Sequence, residues 1–203
     1  MARRKSPAPQ YELRERLAQE SARLMIEHGI VDYGLAKRKA AHRLAVSTLG
    51  ALPSNAQIEA CLAERQRIFE GDDHADRLSK LRRVALSVMR QLAFFEPRLA
   101  GPVLSGTATS ASRIEIHVFA PSPEAVGFAL EGRGYRPAQC AHRYRFGGGR
   151  QAQVPAYRFH TEGATVLTTV FPENGIREAP LSSVDRRPMA RASCNDLAVL
   201  LER

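Results

Sequence analysis

The chain has 203 residues, 44% of them hydrophobic and 25% charged, which allows one large domain or two small ones and argues against global disorder. No apolar run approaches the ~20 residues that span a bilayer, and the basic start, Met1 to Pro9, has no apolar segment behind it, so neither a membrane span nor a secretory signal is expected. The net charge of +9 favours salt-sensitive contact with phosphate-rich partners, a nucleotide or nucleic acid, although an arginine-rich composition alone would give the same excess. Cys61, Cys140 and Cys194 are scattered, without disulfide or metal-ligand spacing, and point to a reducing cytoplasm.

In chain order, residues 1–10 read as a mobile basic arm. Leu13, Leu17, Leu24 and Met25 then fall on one side of a helix that Gly29 can end as a left-handed cap. Asp32 is a candidate N-cap for a second helix carrying Ala36, Ala40 and Leu44, broken at Leu52-Pro53. Ser54 with Gln57 forms a capping-box pattern ahead of Ile58, Cys61, Leu62, Ile68 and Phe69. The polar stretch 71–75 is the expected boundary between a helical domain, residues 11–70, and an α+β domain, residues 76–203. A fourth helix follows, with Leu78, Leu81, Ala85, Val88, Met89 and Leu92 in one stripe and an end before Pro97.

From there the texture turns to strands. Leu99 to Leu104 is a short apolar run read as a strand, followed by the small residues 105–110. Arg113 to Phe119 alternates, with Ile114, Ile116 and Val118 on one face and Glu115, His117 and Phe119 on the other. Ser122-Pro123-Glu124 starts a helix that Gly132 or Gly134 stops. Tyr144-Arg145-Phe146 and Val154–Phe159 flank Gly147-Gly148-Gly149 as a hairpin, Ala164–Phe171 is a further strand, and Ser193 with Asp196 caps a last helix. The fold class expected is α+β, a helical N-terminal domain followed by a mixed sheet flanked by helices.

The order of elements from Leu78 to Phe119, a long amphipathic helix, a short strand, a Gly-Ser/Thr turn and a strand with alternating polar positions, resembles the core of the nucleotidyltransferase superfamily. The resemblance covers residues 78–171. It implies a phosphate-binding turn at Ser105, Gly106 and Thr107, and puts Glu115 and His117 where the family carries two acidic residues, as the candidate catalytic and metal-ligating pair. Residues i and i+2 of a strand point the same way, so two carboxylates there can hold a divalent metal, Mg or Mn, against a nucleotide's phosphates. A third carboxylate on a neighbouring strand completes the two-metal arrangement. Here His117 replaces the second acid, imidazole suits softer metals than Mg²⁺, and the strand 164–171 has no carboxylate, Glu162 lying just outside it. The resemblance therefore implies a degenerate member that binds nucleotide or nucleic-acid phosphate without standard two-metal catalysis, the divalent metal being expected only if catalysis survives.

Each feature also has a plainer reading. Glu115 and His117 can be the solvent face of an edge strand, and Ser105–Thr107 a tight turn. The glycines 147–149 with Arg143, Arg145 and Arg150 make either an anion-binding flap or a hairpin tip on a basic surface. Lys37, Arg38, Lys39 and Arg43 on the second helix give a helix-turn-helix-like alternative, a DNA-binding regulator, against the reading of a solvated basic face. A protein-interaction module, with Phe94 and Phe95 as its anchors, is the third option. His28, His42, His74, His142 and His160 show no ligand spacing.

Overall fold

The structure, a computed structural model, describes residues 7–46 and 52–202. The chain divides into two units, Met1–His74 with Thr109–Ala111 and Ala75–Ala108 with Ser112–Arg203. Among the described residues no helix is long and apolar enough to cross a membrane.

Three helices build the first unit: α1 (Pro7–Glu27), α2 (Tyr33–Arg43) and α3 (Asn55–Phe69). Leu17, Ala18, Ala22 and Met25 of α1 meet Ala36, Ala40 and Ala41 of α2 and Ile58 and Leu62 of α3 in one buried cluster. The alanines on α2 leave no long side chain between it and α1. Local chemistry sets the starts. The Asp32 carboxylate accepts the Leu35 N–H at 2.6 Å, and Ser54 and Gln57 form a reciprocal capping box at 3.1 and 2.9 Å.

Two expectations for this unit shift. Of the arm expected over residues 1–10, residues 7–10 are already helical, and 1–6 lie outside the described residues. The second helix stops at Arg43, well before Leu52-Pro53. The Ala45 N–H bonds the His42 carbonyl and the Val46 N–H bonds the Ala41 carbonyl, a Schellman closure with Ala45 in the left-handed region at φ 52°. No glycine advertises that stop.

Residues 71–75 are helical, the first turn of α4 (Gly71–Gln91), with Asp72 and Asp73 complementing the helix dipole, and the division between the two units falls within them, after His74. Gly71, at φ 41°, separates α4 from the end of α3.

The second unit continues through β1 (Arg98–Ala100), α5 (Gly101–Ser105), β2 (Ile114–Phe119), α6 (Pro123–Glu131), β3 (Ala138–Arg145), β4 (Gln151–Thr161), β5 (Ala164–Phe171) and α7 (Cys194–Leu201). It is a mixed α/β unit whose five strands run in the order β1-β2-β5-β4-β3, with β2 and β5 parallel and the other pairs antiparallel. Ile114, Ile116 and Val118 pack on one face of the sheet against Val84, Val88, Met89 and Leu92 of α4, Val126 and Leu130 of α6 and Leu197 of α7. Cutting a fully buried side chain such as Leu92 or Met89 back to alanine costs about 2–5 kcal/mol in such a core. The opposite face carries a smaller aromatic cluster, Phe119, Tyr144, Phe146 and Phe171 with Val154, onto which Ile176 and Met189 pack.

The apolar run Leu99–Leu104 does not stay a strand. Pro102 at the start of a helix is pre-set for a turn of α5, so only Arg98–Ala100 pairs with β2. Nor is β2 an edge strand: β1 and β5 flank it, and every residue from Ile116 to Phe119 is buried. The outer edge of β1 is itself closed by two backbone hydrogen bonds between Leu99 and Ala192, at 2.8 and 2.9 Å.

Candidate functional site

Glu115 lies on the sheet face opposite the main core, paired in register with Ala100 of β1 and Leu167 of β5. The chain turns sharply just after Ala100, with Gly101 at φ 69°, and a Cβ on Gly101 would stand 2.8 Å from Glu115 Oε2. The left-handed φ favours glycine here, and a Cβ would also require the Glu115 carboxylate to shift. The carboxylate is partly buried and takes a hydrogen bond from Arg113 Nε at 3.2 Å. A glycine turn after the first strand, a carboxylate on the second and a guanidinium beside it thus meet in one place.

His117 is two residues further along the same face and fully buried. Its Nε2 is 3.1 Å from the Tyr144 hydroxyl, which lies 3.2 Å from Thr169 Oγ1 on β5. Tyr144 packs edge-on to the imidazole at 5.5 Å between ring centroids, and Phe171 is 4.8 Å away. Burial, reinforced by Arg191 and His142, pushes the imidazole pKa down to about 3. The ring is therefore neutral. Nδ1 has no hydrogen-bond partner. A buried N–H without an acceptor is rarer than a buried lone pair without a donor, so Nε2–H donates to Tyr144 and Tyr144 to Thr169. Burial, and then the Glu115 charge, raises the Tyr144 phenol, while burial lowers His142.

Arg191 closes the far end of this face. Its guanidinium lies 5.4 Å from the Phe119 ring centre and 5.7 Å from that of Phe171. It donates to the carbonyls of Gly175, Ile176 and Glu178, the last at 2.8 Å. The segment after β5 is held against the aromatic cluster by these bonds.

The pair Glu115 and His117 is thus brought onto one face, but unequally. Glu115 sits among polar groups, whereas His117 is the inner end of a hydrogen-bonded chain, with Nε2 committed to Tyr144. The solvent-face reading of His117 is corrected by its burial against Tyr144 and Phe171. No acid stands across from Glu115, since the β5 positions on this face are Leu167, Thr169 and Phe171. Among the described residues no group of three or more His, Cys, Asp or Glu side chains could hold a metal ion.

Ser105, Gly106 and Thr107 do not follow a strand. Ser105 ends α5 and Gly106, at φ 92°, is its left-handed cap. The N–H groups of Gly106 and Thr107 both bond the Pro102 carbonyl at 3.0 Å, so the turn spends its donors internally. A helix C-terminus also presents carbonyls, and Arg82 answers them with bonds to Val103 and Leu104 at 3.1 and 3.2 Å. The phosphate cradle expected at these three residues loses its backbone donors. The turn nearer the pattern is Gly101, four residues earlier.

The expected nucleic-acid contacts fall in both units. On α2, Arg38, Lys39 and Arg43 are exposed, and Lys37 is half-buried with its ammonium pKa lowered by desolvation. Arg143 and Arg145 are exposed on β3. Arg150 is engaged at the hairpin tip, 4.0 Å over the Phe146 ring and 2.7 Å from Glu178. Gly101, Arg113, Tyr144, Thr169 and Arg191 are not among the expected site residues; only the glycine directly after a strand offers a signal. An open pocket of about 470 Å³ is lined by Arg133, Gly134, Tyr135, Arg136, His160 and Thr161. Compared with family models, curated proteins and solved structures, the chain matches none.

Proposed function

We propose that the second unit binds a phosphate-bearing ligand, a nucleotide or a nucleic-acid phosphate, on the sheet face at Glu115, and does so without two-metal nucleotidyl transfer. The observation that carries this reading is the meeting of the Gly101 turn, the Glu115 carboxylate and the Arg113 guanidinium. Of the parts that the nucleotidyltransferase resemblance implies it keeps the Glu115 carboxylate, with a glycine turn at Gly101 in place of the one expected at Ser105–Thr107. In the two-metal reaction, divalent ions neutralise the phosphates and activate a hydroxyl. With one carboxylate and a neutral, committed imidazole, only the charge-neutralising part of that role remains, and it passes to Arg113, whose planar fork suits a phosphate. Glu115 positions the guanidinium and can accept a ligand hydroxyl.

The test is calorimetric titration of the full chain with ATP, GTP, CTP and UTP, first in EDTA, then with Mg²⁺ and with Mn²⁺. Binding that persists in EDTA and weakens about tenfold in Arg113→Gln is expected, that factor corresponding to loss of one charge-assisted bond of roughly 1.4 kcal/mol. Absence of binding under all three conditions refutes the ligand class. A metal-dependent transfer activity abolished by Glu115→Gln refutes the non-catalytic half of the reading.

A further inference from the structure

The first unit carries a cationic site that the sheet face does not explain. Between α1 and α3, beside the end of α2, an open groove of about 240 Å³ is lined by Arg16, Gln19, Glu20, Arg23, Leu44 and Arg65. Arg23 grips Glu20 with two bonds, Nε to Oε2 at 2.9 Å and Nη2 to Oε1 at 2.7 Å, and also bonds Glu27. Arg65, from α3, reaches Glu27 at 3.2 Å, and Arg43, from the last turn of α2, reaches Glu20 at 3.5 Å. Three guanidinium groups from three helices therefore share two carboxylates, and a fourth, Arg16, lines the same groove, an excess of two positive charges among these six groups.

If these groups only stapled the helices together, one carboxylate per arginine would serve better, since each surplus cation repels its neighbours. The arrangement of Arg23 on Glu20 is a guanidinium fork on a planar pair of oxygens, the same recognition that a phosphate receives. The Arg23 hydrogen bond, with Arg43 and Arg65 adding to it, holds the Glu20 carboxyl below its usual range. Glu20 thus behaves as a resident anion in a site with charge to spare.

We infer that this groove binds a phosphate group, with Arg16, Arg43 and Arg65 as its donors and Glu20 as the internal competitor. Two sources share that chemistry: a nucleic-acid backbone and a free phosphorylated small molecule. The site is independent of the sheet face at Glu115.

The experiment uses the full chain, with pyrophosphate in one arm and a 16-base-pair DNA duplex in the other, the latter at several salt concentrations. Arg16→Gln, a change on the exposed side of α1, is expected to weaken binding about fivefold. Glu20→Gln, which removes the competing charge, is expected to tighten it by a similar factor. A duplex signal that falls with salt assigns the backbone, and a pyrophosphate signal alone assigns a small ligand. Circular dichroism at matched concentration confirms that both variants fold. The inference fails if neither ligand binds, or if both variants match the parent. It also fails if the signal disappears in Arg113→Gln while staying unmoved in these two, because the ligand then belongs to the sheet face.

Discussion

The buried, neutral His117 makes the stability of the second unit depend on pH in a window that ordinary histidines do not touch. In the unfolded chain the imidazole takes a proton below about 6.5, whereas the folded ring stays neutral down to about 3. Between those values the unfolded state binds more protons, so stability is fully present above pH 6.5 and is lost as pH falls toward 3. At roughly 1.4 kcal/mol per pH unit the whole window amounts to about 5 kcal/mol, and about 3 kcal/mol of it is gone by pH 4.5.

The perturbation is His117→Leu, which keeps the volume and removes the titrating group. At pH 7.5 it loses a neutral hydrogen bond of about 1 kcal/mol and relieves an unpaired buried nitrogen of similar cost, so the net change is within about 1 kcal/mol. Urea unfolding of parent and variant at pH 7.5 and 4.5 isolates the linkage, because His142 and the carboxylates are common to both. The variant is expected to gain about 2–3 kcal/mol relative to the parent on going to pH 4.5. Imidazole ¹⁵N shifts give an independent reading, with His117 neutral at pH 5 and its proton on Nε2. An unchanged difference between the two pH values, or a His117 resonance titrating near 6.5, refutes the reasoning.

Two backbone predictions have opposite signs. Gly101→Ala puts a methyl 2.8 Å from Glu115 Oε2 at a φ that alanine resists, so a loss of about 1–3 kcal/mol is expected in urea unfolding, with the Arg113–Glu115 pair displaced. Ala45→Gly acts the other way. It relieves a left-handed alanine at the Schellman cap of α2 and should raise stability by about 0.5–1 kcal/mol, seen as a higher unfolding midpoint.

What was legible in the chain was local. The caps at Asp32, Ser54 and Ser193 are side chains bonding backbone three residues on, and the pattern needs no other part of the fold. The strands 114–119 and 164–171 announce themselves by β-branched content and alternation. α5 was hidden because Gly-Pro-Val-Leu-Ser is apolar and short, and a run of that length has no period to read. The Schellman stop at Ala45 was hidden because it uses the wrong residue type. At the candidate site Glu115 could be chosen from the strand alone. The depth of His117 could not, since it is created by Tyr144 and Phe171, which arrive from 27 and 54 residues away.

Those same neighbours bear on the proposal that the face works without a metal. A Mg²⁺ ion wants near-octahedral oxygen ligands, and the protein usually supplies at least two carboxylates with phosphate and water. Putting an aspartate at position 117 would place it between Tyr144 and Phe171, where burial favours the protonated carboxyl and the charge of Arg191 opposes it. Putting one at Leu167, opposite Glu115, would introduce a second negative charge where burial of the leucine is now nearly complete. Either change sets desolvation against metal affinity. Arg113 avoids that conflict, because a guanidinium carries its charge without needing a ligand shell and is already paired at 3.2 Å with the one carboxylate present. On the proposed reading, a phosphate approaching the Gly101 turn would meet the Arg113 guanidinium already held by Glu115.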